Sequence, residues 1–153
     1  MTSPSSTTDV WHIGSTPLHS RFLLGTAGYP SPDVLRQAIE ASGSQVLTLG
    51  LKRTLAAPGG GDNGFVQIIR DTAQAHGAHL LPNTAGCRSA QEAITLAHMA
   101  RELLGTHWIK LEVIGDEQTL QPDPFELVAA AAQLIRDGFE VLHALDRVHQ
   151  QQE

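Results

Sequence analysis

A chain of 153 residues fits one domain, and 41 % apolar residues are enough to fill a single core. Ten Lys and Arg against sixteen Asp and Glu, a net charge of −6, leave no positive field to neutralise a phosphate backbone, so nucleic-acid binding is excluded as an electrostatically driven activity, while a small anionic ligand stays open to a locally positive site. The lone cysteine, Cys87, rules out an internal disulfide framework and fits a reducing cytoplasm, and no apolar run approaches the roughly 20 residues of a membrane span.

The opening "MTSPSSTTD" is rich in Ser, Thr and Pro and is expected to form a flexible tail over residues 1–10. It lacks the basic and apolar regions of a secretory signal; a transit peptide is the competing reading, with the first basic residue only at Arg21. The chain then settles into short β-rich runs, each followed by an amphipathic segment. "FLLGTA" (22–27) leads to a helix carrying Val34, Leu35, Ala38 and Ile39, and "QVLTLGL" (45–51) to one carrying Phe65, Ile68, Ile69 and Ala73. "HLLPNT" (79–84) leads to a helix with Ala93, Leu96, Ala97, Ala100, Leu103 and Leu104. "WIKLEVI" (108–114) precedes a fourth helix, and "EVLHAL" (140–145) reads as a fifth strand.

Chemical punctuation marks the helix ends. Ser31-Pro32 and Asp123-Pro124 each place a capping oxygen before a proline at the first helical position, where its missing N–H costs nothing. Ser89 with Glu92 and Asp123 with Glu126 have capping-box spacing, and Gly43, Gly77, Gly105 and Gly138 stand where left-handed closing residues are needed. Strands alternating with helices call for a parallel sheet, either doubly wound or a (β/α) barrel. The fourth strand favours the TIM-type barrel. Ile109, Leu111 and Val113 form one apolar face, while Trp108, Lys110 and Glu112 form the other, which in a barrel points inward. The chain holds about four βα units plus a fifth strand, where a complete barrel has eight units.

Between the second strand and its helix, "KRTLAAPGGGDNG" (52–64) is glycine-rich but does not match a phosphate-binding P-loop, and reads as a loop. Lys110 and Glu112 carry more chemistry. Two residues apart on a strand, their Cβ atoms lie about 7 Å apart on one face, close enough to serve one ligand. A desolvated lysine can attack a carbonyl and form a Schiff base, and a neighbouring carboxylate can move the protons of dehydration and enolisation. An ionised Glu112 also favours the charged amine and opposes that attack, so a buried Lys–Glu ion pair is the competing reading. Asn83 and Thr84 end the third strand at the face where barrels do their chemistry, as candidate substrate-binding residues, although Asn-Thr is also ordinary turn chemistry. Cys87 lies near the same face without a histidine to activate it, and the eight histidines form no metal-ligand motif.

The segments "SRFLLGTAGYPSPDVLRQAIEASGSQVLTLGLKR", "LLPNTAGCRSAQEAITLAHMAREL" and "WIKLEVIGDEQTLQPDPFELVAAAAQLIRDGFEVL" resemble successive blocks of thiazole synthase, the barrel enzyme of thiamine biosynthesis. The resemblance runs from about Trp11 to Leu142. It implies formation of the thiazole phosphate from 1-deoxy-D-xylulose 5-phosphate, dehydroglycine and sulfur carried as a thiocarboxylate on a small protein. It implies no metal or organic cofactor; a cytoplasmic homo-oligomer is the expected form. The family's imine-forming lysine falls on Lys110 and its strand acid/base on Glu112. Where the family has "GTGK", this chain has Ala27 and Gly28. Residues 143–153 read as a divergent tail, where the family continues through further βα units that bind the substrate phosphate. A half barrel of this kind is expected to associate with itself or with another polypeptide, because its inner face and sheet edges are uncovered.

Overall fold

The computed structural model describes residues 9–56 and 64–143. Residues 1–8 of the expected tail, residues 57–63 of the glycine-rich stretch, the last two residues of "EVLHAL" and residues 144–153 of the C-terminal tail lie outside the described residues.

The chain opens with an antiparallel hairpin, β1 (Trp11–Ile13) and β2 (Thr16–Leu18), which the periodicity above does not anticipate. Its two-residue link, Gly14-Ser15, is a recognised hairpin signal flanked by alternating apolar positions. Gly14 takes φ +56° and lies so close to the Glu140 carboxylate that a Cβ there would collide with it. The remaining strands form one parallel sheet in chain order, β3 (Leu23–Gly25), β4 (Val46–Gly50), β5 (His79–Asn83), β6 (Trp108–Leu111) and β7 (Glu140–His143). The helices between them are α1 (Pro32–Ser42), α2 (Leu51–Ala56), α3 (Gly64–Ala75), α4 (Ala90–Leu104) and α5 (Pro124–Arg136). The strands follow chain order without the reversal of a doubly wound sheet, as part of a TIM-type (β/α) barrel, the architecture that the two faces of the fourth strand favour.

The caps behave largely as expected. Ser31 and Ser89 accept from Val34 N and Glu92 N, Asp123 accepts from both Phe125 N and Glu126 N, and the four closing glycines have positive φ. Neither capping box closes on its own cap residue: Glu92 accepts from Arg88 N, and Glu126 reaches across to Ala90 N at the start of α4, tying two helices together. Leu51 opens α2 instead of ending a strand. So short a helix needs tertiary support, which it draws from the burial of Leu51 and from Lys52, discussed below. On α1, Leu35 and Ile39 are buried while Val34 faces solvent.

Alternation along the strands divides the buried residues into two clusters. Leu47, Leu49, Leu80, Ile109, Leu111 and Val113 pack outward against all the long helices, including Leu35, Ile69, Leu96 and Leu134. The intervening positions point inward, and at the N-terminal end of the sheet Val46, Leu81 and Trp108 are covered by Ile13 and Leu18 of the hairpin. The hairpin therefore plugs one end of the inner face, leaving the polar residues at the other end accessible.

Leu18 is fully buried in the small inner cluster, so Leu18→Ala should cost about 3 kcal/mol, visible as a lower urea midpoint at unchanged slope. Phe125→Ala, on the exposed face of α5, should change stability by less than about 0.5 kcal/mol. Equal effects would show that the hairpin does not seal the sheet.

Candidate active site at the C-terminal ends of the strands

The inward positions change character from bottom to top of the sheet. Along the inward positions Val46 is followed by Thr48 and Gly50, Leu81 by Asn83, and Trp108 by Lys110, with Glu112 just past the end of β6; Gly25 pairs with Thr48, and Leu142 with Lys110. On β4, β5 and β6, small and polar residues thus replace apolar ones toward the end of the barrel where parallel strands deliver their side chains to a ligand. A cavity of about 620 Å³ opens here, bounded by Gly25, Thr26, Gly28, Thr48, Gly50 and Asn83 among others.

Lys110 and Glu112 meet as the two-residue spacing predicts: Lys110 Nζ lies 3.0 Å from Glu112 Oε1, with the two side chains 36 % and 32 % exposed. They form an ion pair that is neither sealed in the core nor free in water, within reach of a ligand. Asn83 is the direct register partner of Lys110 and also borders the cavity, so it joins the two. Its Oδ1 accepts from Ala85 N, leaving the amide end for other partners. Thr84, the other residue proposed to touch substrate, is completely buried, and its hydroxyl engages the main chain of Glu112 instead of facing the cavity.

The loop after β5 is built by its own sequence. Cys87 N donates to Thr84 O, closing a turn in which Gly86 has φ +86°, a position that favours glycine. Lys52 Nζ donates to Gly86 O and pairs with Glu92 Oε1, fastening the loop to α2 and α4. Local periodicity does not predict this clamp, although Lys52 stands out as the only lysine besides Lys110. Arg53, next to it, is exposed and borders the cavity.

Two groups near the site have displaced protonation equilibria. The Lys52 hydrogen bond, followed by that from Arg88 N, holds the Glu92 carboxyl below its ordinary value of 4.5. Burial first, and then the Glu92 charge, push the Cys87 thiol from 9.0 up to about 11, with Lys52 partly opposing and Glu112 adding to the rise. Cys87 is therefore a neutral packing thiol at physiological pH. Among the described residues, no cluster of three or more His, Cys, Asp and Glu could hold a metal ion, and no helix is long and apolar enough to cross a membrane.

Because Glu92 titrates lower when folded, the unfolded chain takes up its proton first. The stabilisation is complete above the ordinary carboxylate range and disappears as pH falls through the depressed value. Glu92→Gln should flatten the melting temperature against pH below about pH 5, by an amount worth under about 1 kcal/mol, since both partners are more than one-third exposed. For Cys87, iodoacetamide at pH 8 should label the thiol only after denaturation; rapid stoichiometric labelling of the folded chain would refute an inert buried thiol.

Comparison with known proteins accords with this geometry. A family model described as "Thiazole biosynthesis protein ThiG" matches residues 12–148. Thiazole synthase of Coxiella burnetii (strain RSA 493 / Nine Mile phase I) is 52 % identical over 132 residues, covering 86 % of this chain and 49 % of the relative. Thiazole synthase of Variovorax paradoxus (strain S110) is 57 % identical over 126 residues, covering 81 % and 45 %. The chain spans about half the length of the curated relatives it matches. Among solved structures, a chain of the Amycolatopsis orientalis BexX/CysO complex superposes with a TM-score of 0.65 at 25 % identity, covering 86 % of this chain and 52 % of that one. With the family model matching nearly its whole length and the parallel sheet placing Lys110 and Glu112 at the open end, this chain belongs to the thiazole synthase family.

Proposed function

We propose that this chain carries the imine-forming centre of a thiazole synthase, with Lys110 as the nucleophile and Glu112 as the acid/base. The observation that carries the reading is the 3.0 Å Lys110–Glu112 contact at the accessible end of the inner face, in a chain of this family. A ligand approaching that end meets a lysine amine with its proton acceptor already in reach.

The chemistry starts with transfer of a proton from the Lys110 ammonium to Glu112. The free amine adds to the carbonyl of 1-deoxy-D-xylulose 5-phosphate, forming a C–N bond and a carbinolamine. Glu112 then returns a proton to the departing hydroxyl, releasing water and leaving the imine. The imine acidifies the neighbouring C–H, so the same carboxylate can shift a proton between adjacent carbons before dehydroglycine and sulfur are joined to the sugar. Asn83, sharing register with Lys110 and bordering the cavity, is the proposed contact for a substrate hydroxyl or carbonyl.

The proposed sulfur donor is a carrier protein ending in a thiocarboxylate, and the proposed assembly is a homo-oligomer. A protein partner is supported by the solved relative, which was crystallised as a BexX/CysO complex. The same observation favours a second reading, in which the chain binds a carrier or full-length synthase subunits without turning over substrate.

Sodium borohydride trapping with saturating 1-deoxy-D-xylulose 5-phosphate, read by peptide mass spectrometry, separates the two readings. A reduced sugar adduct on Lys110 is expected in the wild type, absent from Lys110→Ala and formed on the order of 10²-fold more slowly in Glu112→Gln. No adduct, or one confined to Lys52, would reject the catalytic reading, and carrier binding in its absence would favour the second.

A further inference from the structure

The side chain of Thr84 has an unusual arrangement for a residue at the mouth of a barrel. It is completely buried, and its hydroxyl oxygen is 2.8 Å from both main-chain polar atoms of a single residue: Glu112 N donates to Thr84 Oγ1, and Thr84 Oγ1 donates to Glu112 O. Around it, the loop after β5 follows the end of β6 in steps of two. Thr84 N donates to Lys110 O at 3.2 Å, the Thr84 hydroxyl holds Glu112, and Ile114 N donates to Cys87 O at 2.7 Å.

A main-chain ladder would satisfy these three residues through backbone partners. Here the loop turns away after Thr84, and a hydroxyl replaces the missing peptide at the residue that carries the carboxylate. Replacing that hydroxyl with a methyl would leave Glu112 N–H and C=O without these partners. Lys110 is retained by its own ladder on both sides, through Asn83 and Leu142. Glu112 lies beyond β6 and has no such support.

We propose that Thr84 is a positioning residue, acting through the Glu112 peptide to keep the Glu112 carboxylate on Lys110. The proposal rests on the imine reading for its catalytic meaning, though not for its geometry. Thr84 touches neither the cavity nor the lysine amine. It sets where the acid/base stands, and its hydroxyl rather than its volume is what matters.

The test uses the fact that the sequence holds only two lysines, Lys52 and Lys110. Labelling with [ε-¹³C]lysine gives two signals, assigned with Lys110→Ala. At one fixed neutral pH, Glu112→Gln should displace the Lys110 signal. Thr84→Val, of matching shape, should displace it comparably and in the same direction, whereas Thr84→Ser, which keeps the hydroxyl, should leave it in place. Combining Thr84→Val with Glu112→Gln should give the spectrum of Glu112→Gln alone, because the threonine has nothing left to position.

A purely structural threonine would lower the melting temperature of Thr84→Val with the Lys110 signal unmoved, and that result overturns the proposal. So does a displaced signal in folded Thr84→Ser, which also serves if the valine variant does not fold. In borohydride trapping, Thr84→Val should slow adduct formation by a factor similar to Glu112→Gln, again without additivity. If the wild type traps no sugar while the spectra behave as described, the imine reading fails and the positioning role stands.

Discussion

The structure depends on one constraint, the alternation of side chains along parallel strands whose outer face is covered by helices. Ile109, Leu111 and Val113 are almost completely buried among helix residues. Their burial commits Trp108, Lys110 and Glu112 to the inner face, since a slip of one residue would drive a lysine and a glutamate into an apolar layer and expose three aliphatic chains. The position of the Lys110–Glu112 pair is thus enforced by residues on the opposite face of the strand.

Within that constraint, β4, β5 and β6 are graded along the inner face. Val46, Leu81 and Trp108 lie below, closed by the hairpin, and Thr48, Gly50, Asn83 and the ion pair follow above, with Leu142 of β7 beside Lys110. Lys110 stands at the boundary, with Trp108 two residues below and Glu112 two residues above. A lysine at such a boundary has an apolar floor that excludes water from one side and a carboxylate on the other. The loop after β5 completes the arrangement, held to α2 and α4 by Lys52 and to the end of β6 by Thr84 and Cys87.

Much of this was legible in the sequence because it rests on local periodicity. Apolar spacing and caps specify the parallel βα units, and the period of two puts Lys110 and Glu112 on one face. What escaped has a common physical cause: it depends on partners distant in the chain. The hairpin is stable only because Val46, Leu81 and Trp108 lie beneath it; α2 is held through Lys52 by groups some 34 and more residues away. "WIKLEVI" reads as one long strand, yet β6 formally ends at Leu111, because the next partner on its β5 side is a threonine hydroxyl instead of a peptide. Asn83 and Thr84, adjacent and equally polar, could not be separated by pattern, and the fold sends one to the cavity and buries the other.

The hairpin plug also gives the molecule a built-in optical probe. The sequence has two tryptophans, and Trp11 on β1 and Trp108 on β6 both belong to the inner cluster, while the larger cluster under the helices contains neither. They are separated by most of the chain, so their shared environment forms only once β6 has joined the sheet and the hairpin has closed beneath it. Intrinsic tryptophan emission therefore follows the assembly of the inner layer on which Lys110 stands, and far-ultraviolet circular dichroism follows the helices outside it. The two signals view opposite faces of one sheet, and any delay between them during refolding measures how long the inner face waits for its floor.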